Sequence, residues 1–127
     1  MKHTLLLGLA IGCGSDPIGH SGVSTNTDIV DLTDAEAMDL CVYIYELSEQ
    51  PARELDCGDR VITVGIDPED VPEGIATCVA QFAALDDSCD ATVGQFERCF
   101  EESAVASDEV ICSPDLIASC IPVARCL

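Results

Sequence analysis

The chain has 127 residues, including nine Cys and no Trp, and its 24 acidic residues against five basic ones give a net charge of −19. That length bounds the fold to one domain, and a polyanion of this kind is excluded from nucleic-acid binding, which depends on Lys and Arg. With aromatics at only 4% of the residues, a small core needs other support, and the cysteine density points to disulfides and an oxidising compartment.

Residues 1–12 read as a signal peptide. Lys2 and His3 precede an apolar run from Leu5 to Ile11, far short of the ~18–20 residues that span a bilayer. The stretch Leu9-Ala10-Ile11-Gly12-Cys13 resembles a bacterial lipobox, with Ala10 where Leu is usual. The resemblance implies cleavage after Gly12, a diacylglycerol on the Cys13 thiol and a further acyl chain on the new amino terminus. The membrane would then be a partner through lipid rather than through the protein surface. Gly14 rather than Asp follows Cys13, which by the same resemblance favours the outer membrane of a Gram-negative cell. The alternative is an ordinary secretory signal cut nearby, which leaves a freely secreted protein.

From Gly14 to Asp31 the chain is Gly, Ser, Thr, Asp, Asn and Pro with scattered apolar residues. Residues 13–31 are therefore expected to be a lipidated Cys and a flexible tether, with His20 a solvated side chain in it. Residues 32–127 are expected to form a disulfide-rich α-helical domain. Thr33-Asp34-Ala35-Glu36 is a capping box, and Met38, Cys41, Val42 and Tyr45 continue a first helix that Pro51 ends. Gly58-Asp59, between Arg53–Cys57 and Arg60–Ile66, signals a β-hairpin. A lone hairpin is marginal, so Cys57 is expected to pin it.

Asp67-Pro68-Glu69-Asp70 opens a second helix, whose stripe is Ile75, Cys78, Val79, Phe82 and Leu85. Thr92-Val93-Gly94-Gln95 is another capping box, followed by Val93, Phe96, Cys99 and Phe100 on a third helix ending near Ala106. Ser113-Pro114-Asp115 predicts a short fourth helix, which Pro122 stops. The expected fold is mostly α, with three to four short helices and a minor hairpin.

Setting Cys13 aside leaves Cys41, Cys57, Cys78, Cys89, Cys99, Cys112, Cys120 and Cys126, an even set that suffices for disulfide pairing throughout. No C-x-x-C occurs, which argues against zinc ribbons and thioredoxin-like motifs. The connectivity is open, with one restriction. If Ser113–Cys120 is helical, Cys112 and Cys120 lie over ~10 Å apart, too far for a disulfide.

No motif for catalysis, cofactor or metal stands out. His3 falls in the leader and His20 in the tether, so neither Ser–His nor Cys–His chemistry is expected. The doublets Asp86-Asp87 and Glu101-Glu102 read as solvated, and no EF-hand loop is present. The leader, the polar segment and stretches such as Asp56-Cys57-Gly58-Asp59 and Cys89-x-x-Thr92-Val93-Gly94-x-x-x-x-Cys99 together resemble the small, acidic, cysteine-rich bacterial lipoproteins of unknown function. That resemblance implies a location in the cell envelope and brings no catalytic residue with it; no cofactor is expected, and any protein partner is unidentified. The expectation is a non-catalytic binding or structural protein anchored by lipid. Its alternative is a secreted disulfide-rich effector or inhibitor.

Overall fold

The computed structural model describes residues 17–126; the signal peptide read over residues 1–12 and the lipidation site at Cys13 lie outside them. Helix α1 spans Asp34–Leu47, and its capping box forms. Thr33 Oγ1 accepts from the Glu36 N–H, and the Glu36 carboxylate accepts from the Thr33 N–H. The face turned inward is Ala37, Leu40, Cys41 and Ile44. This corrects the expected stripe: Met38 is exposed. Residues 40–45 are apolar or aromatic on every side, so only packing on neighbouring elements selects the buried face.

Strands β1 (Arg53–Asp56) and β2 (Val61–Val64) pair antiparallel, from Arg53 opposite Val64 to Asp56 opposite Val61. Cys57 N–H donates to the Arg60 carbonyl at 2.8 Å, which leaves Gly58-Asp59 as the two-residue loop. Gly58 has φ +93° and Asp59 does not have positive φ, the pattern of a II′ turn. Past β2, Gly65 (φ +83°) crosses the chain leaving α1: a Cβ there would lie 2.7 Å from the Gln50 carbonyl oxygen.

A 3₁₀ turn at Pro68–Asp70 leads into α2, Val71–Ala83. Helix α2 packs on α1, where Gly74 leaves room for the Tyr45 ring; a Cβ would sit 2.5 Å from its Cε1. Helix α3, Val93–Ala104, carries the second capping box and buries Val93, Phe96 and Cys99 as its periodicity predicts. The remaining chain departs from the sequence reading. A helix α4, Asp108–Cys112, forms where none is expected, capped by Ser107 Oγ. In place of a single fourth helix there are 3₁₀ turns at Pro114–Leu116 and Ala118–Cys120, then α5, Ile121–Ala124. Pro122 lies in the first turn of α5, where a missing N–H costs nothing. It begins a helix rather than stopping one.

The tether expectation does not hold over residues 17–31. Val23 and Ile29 are 2% and 1% exposed and belong to the core. The segment lies across the start of α3, with backbone bonds from Ile29 to Ala91, from Val93 to Thr27 and from Gly94 to Thr25. These bonds pair backbone groups that the packing of the strap takes from water. We call residues 17–31 the strap.

Four disulfides link Cys41 to Cys78, Cys57 to Cys112, Cys89 to Cys126 and Cys99 to Cys120. They join α1 to α2, the hairpin to α4, the approach to α3 with the end of α5, and α3 to the turn before α5. The sequential pair Cys112–Cys120 is not made. Around Phe96, Leu40, Val93 and Ile29 sits one small core, and the protein is a mostly α, disulfide-stapled domain with a minor hairpin. Four disulfides in so short a chain mark a protein of an oxidising, non-cytoplasmic compartment. No helix among the described residues is long and apolar enough to cross a membrane.

Candidate functional site

The polar chemistry of the fold converges where the tip of the strap meets α3. Residues Ile18 to Ser24 fold back on themselves: Ile18 and Ser24 form a bridge, and Gly19 N–H donates to the Val23 carbonyl at 2.9 Å. Gly22, at φ +90°, makes the reversal. The turn delivers its N–H groups onto the side chain of Glu97, which is 4% exposed. Glu97 accepts from His20 N–H at 2.9 Å, from Ser21 N–H at 3.2 Å and from Ser21 Oγ at 2.5 Å. A buried carboxylate is costly unless its oxygens are satisfied; here three donors satisfy them. A Cβ on Gly19 would meet both carboxylate oxygens, so a larger residue there would push the Glu97 side chain away from its donors.

One turn along α3, Glu101 binds the outer layer of the same site. His20 Nδ1 lies 2.6 Å from Glu101 Oε2, and the Tyr43 hydroxyl of α1 donates to the same oxygen. Nδ1 also lies 3.3 Å from Tyr43 Oη. A carboxylate only accepts, so the ring proton and the phenol proton both point at Glu101. The hydrogen bond to Glu101, and then its charge, raise the His20 pKa. The Tyr43 hydroxyl bond, with His20 beside it, lowers that of Glu101 against the opposing effect of partial burial. Burial, and then the bond to Glu101, hold the Tyr43 phenol neutral far above the usual range.

The cluster forms one wall of a groove of about 820 Å³ between the strap, α3 and the Ala118–Cys120 turn. Arg98, Glu101 and Glu102 of α3 face it, with Thr25 and Ser119 across from them. Ser119 Oγ donates to Glu102 at 2.5 Å. His20 Nδ1 and one oxygen each of Glu97 and Glu101 fall within 4.8 Å of one another, a donor set able to hold a divalent cation. Both carboxylates already serve as acceptors for the strap and Tyr43, so a cation there would displace bonds that fasten the fold. The arrangement ties the strap to α3 and α1 through His20, Glu101 and Tyr43.

His20 and Glu101, read from the sequence as solvated, are thus brought together. The eight cysteines expected in disulfides lie in staples distributed around the molecule and form no common site. Glu97 is the residue that sequence reading passed over. Its signal was position: it falls four residues after Val93 on the apolar face of α3, where an acid needs a partner. No family model, curated protein or solved structure matches this chain.

Proposed function

We propose that the protein is an exported, envelope-anchored lipoprotein of the small, acidic, cysteine-rich bacterial kind, carrying lipid on Cys13 and serving a non-catalytic binding or structural role. One observation carries this reading. Cys41, Cys57, Cys78, Cys89, Cys99, Cys112, Cys120 and Cys126 pair among themselves, so none is left to form an internal disulfide with Cys13. The ninth cysteine is the one that follows the lipobox-like stretch. Two or three acyl chains would hold even this acidic domain at a bilayer. Gly14 after Cys13 supports the outer membrane as the destination.

The folded strap gives the anchored protein a definite geometry. Only the residues between Cys13 and Pro17 separate the lipid from the ordered domain, so the domain is held close to the bilayer. Detergent-phase partition tests the reading. The native protein is expected in the detergent phase and the Cys13→Ser variant in the aqueous phase. Recovery of the native chain from the medium, in the aqueous phase, would instead establish the secreted effector or inhibitor.

A further inference from the structure

A second cavity of about 390 Å³ lies between the hairpin and helices α1, α2 and α3. The chain has only three Phe, and all three, Phe82, Phe96 and Phe100, line it, together with Tyr45. The Phe82 and Phe96 rings meet edge to face at 5.5 Å. Phe82, Leu85 and Phe100 are partly buried against the core rather than fully enclosed, so this apolar wall keeps some contact with solvent. The opposite wall is Thr63, Gly65 and Ile66 of the hairpin and its exit. A chain with 24 acids places no charged side chain in this lining.

We propose that this cleft binds one small, uncharged, hydrocarbon-like molecule. At the ~30 Å³ that one water occupies in the liquid, the cleft has room for about a dozen water-sized groups. Aromatic and aliphatic walls with a few polar groups, Tyr45, Ser48 and Gln81 among them, are the usual make-up of a small-molecule site. A charged head group would enter without a countercharge and lose its hydration, and the net charge of −19 repels an anion before it arrives. The inference deepens the binding reading of the folded domain and is independent of lipid on Cys13.

The test uses the native, oxidised full chain and 2-naphthol, an uncharged fluorescent probe, whose emission is read free of tryptophan because the chain has none. Saturable binding with one probe per chain is expected, displaced by 1-decanol. Decanoate and decylammonium should each need at least about tenfold higher concentration, since the charge must stay outside. Gln81→Phe and Thr63→Phe each enlarge an exposed residue on one wall of the cleft. Each should weaken the probe by about tenfold or more while leaving the unfolding midpoint unchanged. If one of them fails to fold, the other still decides. Absence of saturable binding would overturn the proposal. So would variants that bind as tightly as the parent, or a charged chain that competes as well as decanol. None of these outcomes bears on detergent partition, so the two readings fail separately.

Discussion

Replacing Glu97 by Gln tests how the strap is held, because it changes one atom and removes one charge. The Glu97 carboxylate is buried and accepts from His20 N–H, Ser21 N–H and Ser21 Oγ. Hydrogen bonds to a charged acceptor contribute about 1.5–3 kcal/mol each, and an unsatisfied buried donor costs about 1–3 kcal/mol. The amide of E97Q keeps one acceptor oxygen, so part of the set survives. Its NH₂ faces at least one strap donor, and two donors cannot pair. The expected loss is about 2–4 kcal/mol, a large share of the ~5–15 kcal/mol that stabilises a domain. For a chain of this size that is a fall in Tm on the order of 10 °C. Thermal unfolding with disulfides intact gives the number, and amide hydrogen exchange gives its place. Protection should fall first at His20 and Ser21. A variant within about 0.5 kcal/mol of the parent, with those amides still protected, would refute the assignment of Glu97 as the strap's anchor.

Gly19→Ala places a methyl against both Glu97 oxygens and should cost about 1–3 kcal/mol, as overpacking does; a neutral result in urea unfolding would mean that the turn moves freely. The His20–Glu101 contact should be strongest in a mid-acid window. His20 has a folded pKa raised above 6.5, so its contribution is present below the unfolded value and fades as pH rises through the folded one. Glu101 has a folded pKa lowered below 4.5, so its contribution is present above the unfolded value and fades as pH falls through the folded one. An NMR titration should show His20 returning toward its ordinary value in Glu101→Gln; an unchanged titration would remove Glu101 as the cause. Removing the Cys41–Cys78 pair, both to Ala, opens a loop of 37 residues, for which the chain-entropy relation gives about 4 kcal/mol. Denaturant unfolding measures it, and a loss below about 1 kcal/mol would contradict the staple's weight in the fold.

What the sequence disclosed were the features written in adjacent residues. Both capping boxes, Thr33–Glu36 and Thr92–Gln95, form as written, and so does the Gly58-Asp59 turn. Each needs only neighbours within a few positions. The strap was hidden because its two buried anchors, Val23 and Ile29, have no period, and its partners lie far along the chain at Ala91 and Glu97. A Gly- and Ser-rich segment looks the same whether its N–H groups meet water or a distant carboxylate. For the same reason His20 read as solvated: Glu101 is 81 residues away. Pro122 is ambiguous in sequence because a proline ends one helix and begins another with equal ease; it follows the 3₁₀ turn at Ala118–Cys120 and lies in the first turn of α5.

Lipid on one cysteine and pairing of the other eight are the two halves of the proposed anchor and fold. Intact mass of the native protein, before and after reduction, tests both halves at once. The predicted result is a chain beginning at Cys13 and carrying acyl chains, which gains eight hydrogens when its four disulfides are reduced. An unacylated Cys13 would contradict the anchor, and a smaller gain on reduction would contradict the staples.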